Sequence, residues 1–184
     1  GKLSIPHLLP YSTAKFAAVG FTEGLRAELA PKGIQVTTIV PGLMRTGSQF
    51  NGLFKGDAVR EFTWFGVAGS LPIMSMDAER AAREIVLATR RGDAERILTL
   101  PAVLAVRLHG LFPGLTVNLF ALAHRMILPP APGADPTAVR GADAFDRLPL
   151  DSVRRTLQPN VDAAWHLNQF ATQPPPARVL RAPL

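Results

Sequence analysis

The sequence predicts an α/β fold: part of a doubly wound parallel sheet, followed by a helical extension and a proline-rich tail. Three observations predict it. Residues 11–29 carry small and apolar side chains at helical spacing, Ile34–Val40 is a β-branched run, and a second helix-then-strand pair follows over residues 77–91 and 96–100. Strands alternating with helices of this length are the pattern of βαβ units, whose strands run parallel.

Taken in order, Gly1 to Pro10 reads as an apolar connecting segment, with Pro6 and Pro10 bracketing His7, Leu8 and Leu9. Pro10 disfavours helix at Leu9 and suits a helix start at Tyr11. The helix continues through Phe16, Ala17, Ala18, Phe21, Leu25 and Leu29 and stops at Pro31-Lys32-Gly33, where Gly33 can take the left-handed terminal position. The strand Ile34–Val40 is ended by Pro41-Gly42.

Residues 47–75 are rich in glycine and aromatics, including Phe50, Phe54, Phe62, Trp64 and Phe65. Two readings stand side by side: these rings line a pocket for a bulky apolar substrate, or they cover the core or a subunit interface. Short helices are expected within Asp57–Phe65. Asp77 caps a helix through Arg91, with Ala78, Ala81, Ala82, Ile85 and Val86 facing inward. Gly92-Asp93 turns the chain into the strand Arg96–Leu100, parallel to the first.

Residues 101–128 are helical in pattern and broken once at Pro113-Gly114. Their longest run without charge or histidine, residues 110–123, is well short of the roughly 20 residues a spanning helix needs. Packing on the sheet or on a partner subunit competes here with a hairpin resting on lipid, Arg107 and Arg125 at the headgroups. From residue 129 onward the composition shifts, since ten of the seventeen prolines lie there. This stretch, 129–184, reads as a largely extended tail after a domain of residues 1–128. Within it, residues 160–170 are expected to form an isolated short helix that docks Trp165 on the body.

Net charge is +6, yet no basic cluster is longer than Arg90-Arg91 or Arg154-Arg155 and no aromatics interleave them, which argues against nucleic-acid binding. With no cysteine there is no disulfide and no thiolate metal site, which fits a reducing, cytoplasmic setting.

The chemistry is concentrated at Tyr11-Ser12-Thr13-Ala14-Lys15. On a helix, residues four apart share a face, so the single tyrosine and one of the four lysines stand one turn apart. A phenol does little acid or base work at neutral pH unless a neighbouring positive charge stabilises its phenolate, and Lys15 is placed to supply that charge.

The ordered string Tyr11-Ser-Thr-Ala-Lys15, Gly24-Leu-Arg-Ala-Glu-Leu29, Gly33-Ile-Gln-Val-Thr and Pro41-Gly-x-x-x-Thr46 closely resembles the C-terminal half of a short-chain dehydrogenase/reductase. The resemblance implies a partial Rossmann-like fold and an oxidoreductase using NAD or NADP on a small-molecule carbonyl or alcohol. It implies that Tyr11 moves the proton on the substrate oxygen while Lys15 favours the phenolate and hydrogen-bonds the nicotinamide ribose. It also implies that Pro41, Gly42, Leu43, Met44 and Thr46 lie against the nicotinamide, and that His7, Phe50 and Trp64 are candidates to face the substrate. Subunits of that family commonly pair through the tyrosine helix and the one before it, so a homo-oligomer is expected of the full-length protein. The family's serine before the tyrosine and its glycine-rich turn, which seats the pyrophosphate, are not among these 184 residues. The chain is therefore expected to be the second half of a longer protein and inactive alone. A peripheral membrane or interaction module built on residues 101–128 is the alternative reading.

Overall fold

A computed structural model describes residues 1–126, 137–149, 151–167 and 169. In chain order these form α1 (Leu9–Leu29), β1 (Thr38–Val40), β2 (Leu43–Arg45), β3 (Leu53–Phe54), α2 (Ala58–Ser70), β4 (Ser75–Asp77) and α3 (Ala78–Arg91). There follow β5 (Glu95–Ile97), α4 (Leu100–Leu111), α5 (Pro113–Met126), β6 (Val139–Arg140), α6 (Gly141–Asp146) and α7 (Asp151–His166). The fold is mixed α/β with parallel strand pairs, consistent with a partial Rossmann-like architecture. The chain forms two compact units, residues 1–42 with 79–126 and residues 43–78 with 127–184.

In the first unit, α1 begins two residues earlier than Tyr11, with Pro10 in its first turn. It ends in a 3₁₀ turn closed by Gly33 at φ 70°, the left-handed cap expected there. Its inward face differs from the apolar stripe read in the sequence. Phe16 and Phe21 are 42% and 68% exposed, while Ser12 is buried and Val19, Thr22, Leu25 and Arg26 are half-buried. The contacts on that face are polar: Thr38 Oγ1 donates to Thr22 Oγ1 at 2.9 Å, and the Arg26 guanidinium donates to the carbonyls of Val36 at 2.5 Å and Gly92 at 3.0 Å.

β1 pairs in parallel with β5, Thr38 opposite Glu95 and Val40 opposite Ile97, and α3 is the helix between them. β1 is shorter than the expected Ile34–Val40. The carbonyl of Val36 is taken by Arg26, Ile34 is 49% exposed, and among the described residues the ladder partners are those of residues 38–40. α3 buries Ala81 and Ala88, whereas Val86, expected inside, is 49% exposed. The second strand stops at Ile97 because Thr99 caps α4, its side chain accepting from Ala102 N at 3.3 Å with Pro101 in the first turn. The break between α4 and α5 falls at Phe112, beside the predicted Pro113.

In the second unit β2 pairs in parallel with β4 and β3 pairs antiparallel with β6. Its core is Phe50, Phe62, Phe145, Leu148, Leu157 and Val161, sealed by Ala144 and Ala164. Phe50 meets Phe145 edge-on at 5.5 Å between ring centroids and Phe62 at 5.7 Å. The aromatic stretch 47–75 is thus largely core, and one continuous helix, α2, replaces the short helices expected at 57–65; Asp57 caps it by accepting from Arg60 N.

The extended tail expected from residue 129 is corrected where it is described. β6, α6 and α7 lie within it, and α7 starts at Asp151, not at Asn160. The reason is a stripe at i, i+3, i+4, i+7, Leu157, Asn160, Val161 and Ala164, all buried, with Pro159 accommodated inside the helix. Asn160 is fully buried, donates to Ser70 Oγ at 2.6 Å and accepts from Gly47 N at 3.4 Å. Trp165, expected to dock, is 49% exposed. The proline-rich stretches 129–136 and 171–184 lie outside the described residues.

Candidate active site

The segment entering α1 sets the site. His7 adopts a left-handed backbone, φ 67°, which turns the chain from the connecting segment into the helix. Its ring reaches α5, His7 Nε2 lying 3.1 Å from His124 Nδ1 with the rings edge-on at 4.9 Å. One ring nitrogen of the pair donates and the other accepts. Ser12 faces inward, its Oγ accepting from Ile5 N at 3.4 Å, so Tyr11 and Lys15 are left on the outer side of the first turns.

Tyr11 is 60% exposed and Lys15 is exposed as well. Lys15 Nζ sits over the Tyr11 ring, 5.4 Å from its centroid, within the range at which a cation is attracted to an aromatic face. The i, i+4 spacing that the sequence offered therefore brings phenol and ammonium together. A hydroxyl and a cation share one open face of a rigid helix, and both are accessible to a ligand.

The strand end that follows is shaped by a close approach. A Cβ on Gly42 would collide with the Thr99 side chain at the start of α4, so only glycine fits where β1 leaves the pair. Pro41 beside it is exposed. In the second unit Leu43 and Met44 belong to β2 and are half-buried. Thr46 Oγ1 donates to Ser48 Oγ at 3.1 Å and accepts from Ser48 N at 3.4 Å, forming a small hydroxyl cluster just after the strand.

The three residues expected at a substrate fall differently. His7 is engaged by His124. Phe50 is a fully buried core residue and has no exposed surface to offer, because its ring fills the gap between Phe62 and Phe145. Trp64 is half-buried in α2, its Nε1 donating to Glu61 Oε2 at 2.7 Å. Sequence reasoning missed His124 and Thr99. A threonine two residues before a proline at the head of an apolar helical run was the available signal for Thr99; for His124 the sequence holds none, since its partner lies 117 positions away.

Residues 1–52 match the short chain dehydrogenase family. Dehydrogenase/reductase SDR family member 7B of Bos taurus is 30% identical over 122 residues, 66% of this chain and 36% of that protein. The chain belongs to the short-chain dehydrogenase/reductase family. Among its other relatives in that family, the Xenopus tropicalis member 7B is 31% identical over 122 residues, 66% of this chain and 38% of its own length. The 3-oxoacyl-(acyl-carrier-protein) reductase FabG of Buchnera aphidicola is 56% identical over 41 residues, 22% of this chain and 17% of that enzyme. This short-chain dehydrogenase/reductase chain thus spans a little over a third of the member 7B proteins it matches. No solved structure matches it.

Proposed function

We propose that the chain carries the proton-transfer half of an NAD- or NADP-dependent oxidoreductase that interconverts a carbonyl and an alcohol on a bulky apolar substrate. The observation that carries the reading is the Lys15 ammonium poised over the Tyr11 ring on the open face of α1. The names of the relatives, a dehydrogenase/reductase and a reductase, support the reaction class.

The donor set fits a nicotinamide nucleoside. Within the first unit Lys15 offers an exposed ammonium to ribose hydroxyls, and Gly42 keeps the strand end free of a side chain. A bound nicotinamide supplies or accepts the hydride at the substrate carbon. In the reductive direction Tyr11 gives its phenolic proton to the substrate oxygen as the carbon accepts that hydride, and the Lys15 charge stabilises the phenolate left behind. The oxidative direction reverses each transfer.

The test uses the complete protein. Tyr11→Phe is expected to lower turnover by roughly 10²–10⁴-fold, the usual contribution of a positioned acid, while cofactor affinity is kept. Lys15→Met should impair turnover and cofactor affinity together. Near-normal turnover in the phenylalanine variant would sink the assignment.

A further inference from the structure

Helices α4 and α5 are apolar around most of their circumference. α4 has no buried residue, and Leu104, Leu111, Phe112, Leu115, Leu122 and Met126 are 61%, 73%, 55%, 52%, 51% and 74% exposed. A helix apolar on every side belongs in a core or in lipid. The charge of the hairpin is one-sided as well. No Asp or Glu stands between Glu95 and Asp135, and Arg107 and Arg125 are its exposed charges. The neighbouring α3, by contrast, mixes Glu79 and Glu84 with Arg80, Arg83, Arg90 and Arg91, the pattern of a solvated face.

The hairpin is also held in shape. Its turn is tied by His109 Nδ1 and Thr116 Oγ1, 2.6 Å apart, and its second arm by His124 to His7. The tip between Leu111 and Leu115 carries no charge and is exposed throughout. At 12 and 14 residues the two helices rise about 18 and 21 Å, short of the roughly 30 Å hydrocarbon layer. No described helix is long and apolar enough to cross a membrane.

We propose that the α4–α5 hairpin docks this protein on the surface of an anionic lipid bilayer. The Leu111–Leu115 tip enters the acyl boundary while Arg107 and Arg125 reach the lipid phosphates. Charge selects lipid over a second copy of the chain. Two such hairpins face to face bring arginine against arginine with no carboxylate to meet it, whereas an anionic surface complements every charge the hairpin exposes. The proposal does not depend on the Tyr11–Lys15 chemistry.

Co-sedimentation of the full chain with vesicles of phosphatidylcholine, with and without phosphatidylserine, tests it. Binding is expected to the phosphatidylserine vesicles and to weaken with added salt. Arg107→Gln and Arg125→Gln, both at exposed positions, should each lower the partition coefficient about fivefold. The double variant L111D/L115D should abolish binding, with circular dichroism reporting that the helices persist. Equal binding to both vesicle types, binding untouched by the tip substitutions, or absence of binding would overturn the proposal. So would a tip variant that converts a dimer to a monomer on sizing while leaving sedimentation unchanged. Tyr11→Phe should leave vesicle binding intact, which separates this outcome from the activity test.

Discussion

At the scale of single residues, two positions translate directly into measurable behaviour. Gly42 faces Thr99 so closely that any side chain must displace the α4 cap. Gly42→Ala is expected to cost about 2 kcal/mol, the usual penalty for forcing a methyl into a packed site, read as a lower midpoint in urea denaturation. The added methyl would meet the Thr99 hydroxyl first, so Gly42→Ala combined with Thr99→Ala, which removes that hydroxyl, should cost less than the two single substitutions summed. Lys2 bridges Glu23 and Glu95, each at 2.6 Å. Burial alone lowers the pKa of its ammonium, but the two carboxylates more than offset this, and the value is raised above 10.5. A raised value means that the bridge contributes fully below lysine's ordinary range and is lost as pH climbs through the folded-state value. The Tm difference between the native chain and Lys2→Met should therefore stay constant from neutral pH to about 10 and close above it.

At the scale of elements, what could be read in the sequence depended on whether the signal was local. The run of α1 to its glycine cap, the turn at Gly92 and the break beside Pro113 were legible because each rests on a backbone preference of the residue itself. The Tyr11–Lys15 pairing was legible for the same reason, being fixed by helical repeat alone. Packing faces were not. α1 turns Arg26 inward and leaves Phe21 outward, because three carbonyls, of Val36, Gly92 and Asp93, converge where only a planar five-donor group can meet them. The first half of α7, residues 151–159, was hidden because Pro159 reads as a breaker, and the length of its stripe because one member is a polar Asn160. Arg26→Lys should then destabilise the first unit by about 1–3 kcal/mol, since one ammonium cannot span those acceptors. Asn160→Ala should lose a similar amount in the second, leaving Gly47 N–H and Ser70 Oγ without their buried partner. Thermal unfolding of each variant checks both.

At the scale of the molecule, family membership covers the chain more surely than its chemistry does. The 184 residues hold the strand–helix order, the tyrosine and the lysine, but not a glycine-rich turn to receive a pyrophosphate at a helix N-terminus. Calorimetric titration of this chain alone with NAD or NADP is expected to show no saturable binding below about 1 mM, the upper end of ordinary cofactor and substrate affinities. Saturation at lower concentration would mean that the dinucleotide is held by residues present here. The core of the second unit adds a consequence in time. Gly47 meets Asn160 across 113 positions, and Phe50 and Phe62 wait for Phe145 and Leu157 to cover them. At roughly 5–20 residues per second of synthesis, those rings emerge from the ribosome many seconds before the segment that shields them exists. The nascent protein thus passes through a sticky adolescence, and chaperone demand during translation should fall on residues 43–78.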